Sequence, residues 1–195
     1  MASAKRQARI AAAVVGGALL LLLVVRHAHY YLSWRNFDVV EPGVLYRSGQ
    51  LRPNQLRAAI ESYGLHAVLN LGHADAEDER EEGIVRGLGL RYWKTNWPGS
   101  DRVISEDELD WAYAIMSDPE NQPLLVHCDG GMHRAGVTVA YWRILRSGWS
   151  RQRIREEMVA HRFNPATRPE LMELVDRLFQ KHRGEGVTLG TAGLR

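Results

Sequence analysis

The sequence predicts an α/β fold, a sheet layered between helices, and three observations carry that expectation. Short apolar runs of strand length, Ala67-Val-Leu-Asn-Leu71 and Pro123-Leu-Leu-Val-His127, alternate with longer stretches of helical periodicity. Apolar residues make up 45% and charged residues 25% of the chain, a balance that packs a core and excludes a disordered or collagenous protein. The 195 residues suffice for one ordinary domain beside one short terminal segment.

Taken in order, Phe37 to Tyr46 reads as two short strands around a Pro42-Gly43 turn. Pro53 suits a first helical position, Leu56, Ile60 and Tyr63 share one helical face, and Gly64 stops the helix. Ala67–Leu71 is a strand of the buried, parallel kind because almost every position is apolar. A helix follows within about residues 76–88, and Leu90-Arg-Tyr-Trp-Lys94 reads as the next strand. Ser105 and Glu108 form a capping box for a helix reaching about Met116. Pro123–His127 is a second buried strand that ends directly at Cys128. Residues 135–147, 150–162 and 169–182 look helical, with Gly148 and Pro165 as punctuation, and the basic run Arg151, Arg153, Arg155 reads as a solvated helix face. The last residues, 184–195, contain four glycines and no periodic pattern, as in a loose tail.

The net charge of +2 is unevenly placed. Residues 1–30 hold Lys5, Arg6, Arg9 and Arg26 and no acid, so the remainder carries 21 basic against 23 acidic residues. A slightly acidic domain gains little from counterion release, which sets nucleic-acid binding aside. Ile10 to Val25 are sixteen apolar residues bracketed by those basic groups, with Tyr30, Tyr31 and Trp34 beyond. They read as an uncleaved signal anchor over residues 1–30, a single transmembrane helix placing the protein in a membrane with its domain, residues 37–182, on the extracytoplasmic side. A cleaved signal peptide is the alternative, although Arg26 spoils the pattern before Ala28.

Cys128 is the single cysteine, which excludes an internal disulfide and a cysteine-based zinc site. It stands between a strand and a helix in His127-Cys128-Asp129-Gly130-Gly131-Met132-His133-Arg134. A thiol attacks as thiolate, and its ordinary pKa of about 8.5 falls to between ~3.5 and ~7.5 at helix N-termini beside cations. Gly130 and Gly131 permit tight turns, so successive backbone N–H groups can curl into an anion cradle. Arg134 supplies a planar fork for two oxygens of a phosphate. A thiolate facing a phosphate-shaped pocket points to in-line attack on phosphorus, giving a phosphocysteine that water hydrolyses.

This stretch resembles the H-C-x-x-G-x-x-R signature of the protein tyrosine phosphatase superfamily, matched at His127, Cys128, Gly131 and Arg134. Leu45-Tyr-Arg-Ser-Gly-Gln50, Val68-Leu-Asn-Leu71 and His133-Arg134-Ala-Gly136 are similar to elements of its atypical dual-specificity-like members. The resemblance implies a central, mostly parallel sheet flanked by helices, with no metal or cofactor. It implies that His127 orients the cysteine loop, Cys128 attacks, Arg134 binds phosphate and an aspartic acid on a loop protonates the leaving oxygen. Residues Asp129, Gly130, Gly131, Met132, His133 and Arg134 would then line the substrate site. Trp97-Pro-Gly-Ser-Asp101 lies where tyrosine phosphatases carry a Trp-Pro-Asp loop, making Asp101 the first candidate acid and Asp107, in the following helical turn, the alternative. Asp110 reads as surface and Asp129 as pointing out of the loop, while His133 is either a supporting or a loop-packing residue.

Two departures matter. Ala135 stands where the family usually carries a Ser or Thr hydroxyl, and Thr138 is one turn further on. Asp129 and Met132 stand where members acting on inositol polyphosphates tend to place lysine, which disfavours a highly anionic substrate. The expected function is hydrolysis of phosphomonoesters, on phosphorylated protein of the phosphotyrosine or dual-specificity type or on a small phosphoester. The alternatives are a phospholigand-binding module with little turnover and a rhodanese-like sulfurtransferase.

Overall fold

Five short strands build one sheet: β1 Asp38–Glu41, β2 Leu45–Gly49, β3 Ala67–Asn70, β4 Arg91–Lys94 and β5 Leu124–Cys128, in spatial order β1-β2-β5-β3-β4. A computed structural model describes residues 14–25, 34–72, 76–95, 97 and 103–184. β1 returns antiparallel onto β2 through a turn in which Gly43 takes φ 71°, and every other strand pair is parallel. The central, mostly parallel sheet is therefore observed.

Alternation along each strand sends its side chains to two covered faces. Leu45, Leu69 and Val126 pack into a core with Tyr141 and Trp142 of α5, Arg134–Arg146. That helix also touches α4, Glu106–Ser117, α6, Arg151–Ala160, and α7, Pro169–Arg183. The opposite face carries Asn70 and His127, whose side chains meet α3, Ala76–Gly87, and α3 in turn contacts α2, Pro53–Tyr63. Apolar residues buried this deeply each contribute about 1.5–3 kcal/mol of transfer free energy.

Local signals set the ends of these helices. Ser105 Oγ accepts from the Glu108 N–H at 3.3 Å while Glu108 Oε2 accepts from the Ser105 N–H at 2.8 Å, closing the predicted capping box on α4. Gly64 ends α2 in the left-handed region at φ 58°. Leu171, Leu174, Val175 and Leu178 form the buried stripe of α7, at the spacing of one helix face. A 3-10 turn at Pro119–Asn121, absent from the sequence reading, leads into β5.

The chain divides into two units, Met1–Trp34 and Arg35–Arg195. In the first, the described residues hold helix α1, residues 14–25, whose apolar side chains are exposed. Among the described residues no helix is long and apolar enough to cross a membrane. The expectation of a single-pass membrane protein with an extracytoplasmic domain, and of the membrane as a partner, is corrected accordingly. Residues 10–13, 26–33 and the tail at 185–195 lie outside the described residues.

Candidate active site

Strand order decides where the site forms. β2 and β3 are joined through α2, yet β5 lies between them, paired Gly49↔Cys128 on one side and Asn70↔His127 on the other. Chains leaving the carboxyl ends of β3 and β5 therefore diverge, and the crevice between them is where open α/β sheets bind ligands. Cys128 closes β5 at 4% exposure, a free thiol at that edge. Residues 129–133 then turn into α5.

The backbone of this loop is held from outside. Gln50 N donates to the Asp129 carbonyl at 3.1 Å. Asn36 Nδ2 donates to the Gly131 carbonyl at 2.9 Å and lies 3.5 Å from that of Gly130. Arg47 Nη2 donates to the Gly131 carbonyl at 2.6 Å. A trans peptide points its N–H opposite its C=O, so the N–H groups of residues 130, 131 and 132 face away from these donors. They supply the concave side that an anion needs. The N-terminus of α5 adds to it, with His133 at the cap position making no side-chain capping bond.

Gly131 is required twice over. Its φ of 69° is left-handed, and a Cβ there would stand 2.5 Å from Gly49 N and 2.6 Å from the Ser48 carbonyl, which are backbone atoms of the sheet and cannot retreat. Gly131→Ala is expected to lower stability by about 1–3 kcal/mol, seen as a lower urea midpoint, and to weaken inorganic phosphate binding as the loop shifts. Gly130 is more tolerant, since a Cβ would meet the flexible end of Met132.

Arg47 has a central place at the loop. It is 1% exposed on the same sheet face as Val126, and among the described residues its Nε and Nη1 have no hydrogen-bond partner. Burial pulls its guanidinium down to about 10, while the nearby charges of Glu157 and then Cys128 favour the charged form. A thiolate at Cys128 suits this buried cation. Asn36, with φ 50°, also ties His161 to the loop through the His161 carbonyl at 3.0 Å. Neither Asn36 nor Arg47 carried a local signal beyond a polar residue beside apolar strands.

Arg134 opens α5 with its side chain 12% exposed and donates Nη1–H to the Leu71 carbonyl at the end of β3. Its Nη2 lies 3.5 Å from Asp129 Oδ2, and the Asp129 side chain is 57% exposed. His133 packs edge-on against the buried Phe163 at 5.6 Å, and burial followed by Arg168 lowers its ring below the ordinary range. His127 lies on the other face of the sheet, 1% exposed, with Nε2 3.1 Å from Glu81 Oε2. Ala135 is fully buried, and among the described residues the Thr138 hydroxyl is buried without a hydrogen-bond partner. Of the candidate acids, Asp101 lies outside the described residues. Asp107 is exposed in the first turn of α4, and Asp110 accepts a hydrogen bond from the Tyr141 hydroxyl.

A sequence model of the tyrosine phosphatase family matches residues 31–181, which span the whole sheet, the cysteine loop and almost all of α7. The chain belongs to the tyrosine phosphatase family. Among relatives in this family, the tyrosine-protein phosphatase-like protein OCA2 of Saccharomyces cerevisiae is 27% identical over 113 residues, covering 58% of this chain and 57% of that protein. Inositol diphosphatase DSP1 of Oryza sativa subsp. japonica is 34% identical over 114 residues, covering 57% of this chain and 50% of that one. The chain thus spans about half the length of these curated relatives. Among solved structures, the core catalytic domain of the PP-IP phosphatase SIW14 from S. cerevisiae superposes with a TM-score of 0.67 at 26% identity, over 76% of this chain and 88% of that one. Membership of the tyrosine phosphatase family sets the rhodanese-like alternative aside.

Proposed function

We propose that residues 37–182 form a cysteine-dependent phosphatase domain that hydrolyses phosphomonoesters through a phosphocysteine intermediate. The observation that carries this reading is the placement of one thiol at the end of β5, followed directly by a loop whose Gly131 carbonyl is held from outside by Asn36 and Arg47 and by Arg134 at the start of α5. Each supplies a different need of phosphoryl transfer. The Cys128 thiolate attacks phosphorus, and an S–P bond forms as the ester P–O bond breaks. The loop N–H groups and Arg134 bind the equatorial oxygens, where charge is spread in the transition state. An aspartic acid donates its proton to the leaving oxygen. Water then attacks phosphocysteine, gives its proton to the same carboxylate, and releases inorganic phosphate and the thiolate.

Asp101 is the proposed acid, because a loop can close to bring a carboxyl within ~3 Å of the leaving oxygen, and Asp107 is the alternative. The expected result is that Asp101→Asn slows an alkyl or phenyl phosphate about 100-fold or more while sparing p-nitrophenyl phosphate, whose leaving group needs less protonation. The same selective loss in Asp107→Asn, with Asp101→Asn unaffected, transfers the role. Loss in neither variant removes a general acid from this segment.

Phosphotyrosine or a related phosphoester is the proposed substrate. The exposed Asp129 and the thioether of Met132 offer no extra cation beside the loop, which supports a substrate of ordinary charge. The names of the relatives make inositol pyrophosphates the second class to assay beside phosphotyrosine and phosphoserine peptides. One observation favours a second reading, a phospholigand-binding module with little turnover: buried Ala135 offers no hydroxyl to the departing sulfur at the first turn of α5. Fast phosphocysteine formation with stalled hydrolysis distinguishes that reading from an enzyme.

A further inference from the structure

A polar row crosses one face of the sheet near its carboxyl edge. The parallel registers align Ser48 of β2 with His127 of β5, His127 with Asn70 of β3, and Asn70 with Lys94 of β4. Paired residues of parallel strands share a face, so all four side chains lie on the side covered by α3. Ser48, Asn70 and His127 are at most 1% exposed. Such a row in a sheet of this kind costs desolvation at each member and persists where it is neutralised or used.

Two carboxylates of α3 neutralise it. Asp78 Oδ1 accepts from Asn70 Nδ2 at 2.6 Å and its Oδ2 from Lys94 Nζ at 2.7 Å. Glu81, 3% exposed, draws more donors: Oε1 accepts from Gln50 Nε2 at 3.1 Å, and Oε2 from the Tyr92 hydroxyl and Asn70 Nδ2, each at 3.0 Å. Burial and this carboxylate push the Tyr92 phenol up, so it stays a donor. The same Oε2 is 3.1 Å from His127 Nε2. The contact falls short of hydrogen-bond geometry, and among the described residues both ring nitrogens and the Ser48 hydroxyl are buried without a hydrogen-bond partner. His127 precedes the candidate nucleophile by one residue, and its carbonyl accepts from Leu71 N at 2.8 Å, which holds the backbone that the two residues share.

We propose that Glu81 is a positioning residue for Cys128: its buried carboxylate holds a proton on His127 Nε2, and the His127 ring in turn favours the thiolate. The inference rests on the phosphatase reading for its purpose, since a sulfur nucleophile serves phosphoryl transfer, but not for its test. The groups facing His127 are Asp78 and Glu81 from α3, Tyr92 and Lys94 from β4, Asn70 from β3 and Ser48 from β2. Arg47 acts on Cys128 from the other face. Without His127 as intermediary, a carboxylate beneath the loop would repel a thiolate, so the direct and the mediated effects of Glu81 have opposite signs.

Alkylation by iodoacetamide reads Cys128 directly, because the full chain contains no other cysteine. The ratio of rates at pH 6 and pH 8.5 cancels differences in access to the buried thiol. Glu81→Gln keeps the shape and removes the charge, and the expected result is a ratio about tenfold lower than in the unaltered chain. Glu81→Asp, with its carboxylate one methylene further back, lowers the ratio less. In a His127→Asn background neither Glu81 variant changes it. An unchanged or raised ratio in Glu81→Gln, or the same fold-change with and without His127, overturns the proposal. If Glu81→Gln does not fold, Glu81→Asp in the two backgrounds decides by the same criterion. Loss of phosphatase turnover with an intact alkylation response would instead count against the proposed function.

Discussion

Cys128→Ser is expected to reduce hydrolysis of an aryl phosphate by about 10,000-fold or more, the loss that follows removal of a covalent nucleophile. The substitution is nearly isosteric, and Cys128 sits at the end of a strand whose backbone is tied to both β2 and β3, so the fold is expected to survive it. Binding should survive as well. The loop carbonyls remain tethered by Gln50, Asn36 and Arg47, their N–H groups keep the same orientation, and Arg134 stays in place. An alcohol holds its proton at neutral pH and is a far weaker nucleophile than a thiolate. The measurement is a pair: steady-state kinetics with p-nitrophenyl phosphate, and phosphate affinity by calorimetry. A variant that hydrolyses at the original rate removes Cys128 from the chemistry.

Arg134→Lys is expected to lower kcat/KM about 100- to 1,000-fold, or roughly 2.7–4 kcal/mol of transition-state stabilisation. The charge is kept, so the loss isolates geometry. The Arg134 guanidinium bonds the Leu71 carbonyl through Nη1 while its Nη2 lies 3.5 Å from Asp129 Oδ2, an orientation of the planar fork that one ammonium cannot reproduce. Because the Nη1 bond anchors the side chain to the end of β3, Lys also loses orientation. Most of the effect should fall on kcat if Arg134 grips the transition state more tightly than the substrate. A change of less than threefold in kcat/KM would place the phosphate elsewhere than beside Arg134.

What the sequence made legible was local. The buried strands at Ala67–Asn70 and Leu124–Cys128 followed from unbroken apolar runs, and the α4 cap from Ser105 and Glu108 three residues apart. The cysteine loop was equally local, since its nucleophile, its tight glycine and its guanidinium fall within seven residues. What stayed hidden depends on strand order. Asn36 and Arg47 reach the Gly131 carbonyl across 95 and 84 residues, because β5 is inserted beside β2 only after β3 and β4 have been laid down. Glu81 reads as one more acid on an acidic helix until the register brings His127 beneath it. The apolar amino-terminal run reads as a membrane anchor by hydropathy, yet among the described residues no helix is long and apolar enough to cross a membrane. Asp101 had only a resemblance to stand on, and it lies outside the described residues.

A rapid-quench experiment tests the central claim most directly. The full chain is mixed with excess aryl phosphate, denatured within milliseconds, digested and analysed by mass spectrometry. The expected result is one phosphoryl group on the peptide containing Cys128, formed at least as fast as the steady-state turnover and absent from Cys128→Ser. Turnover at the full rate with no phosphoryl group on Cys128 at any quench time, or with the label on a different residue, would contradict a phosphocysteine mechanism.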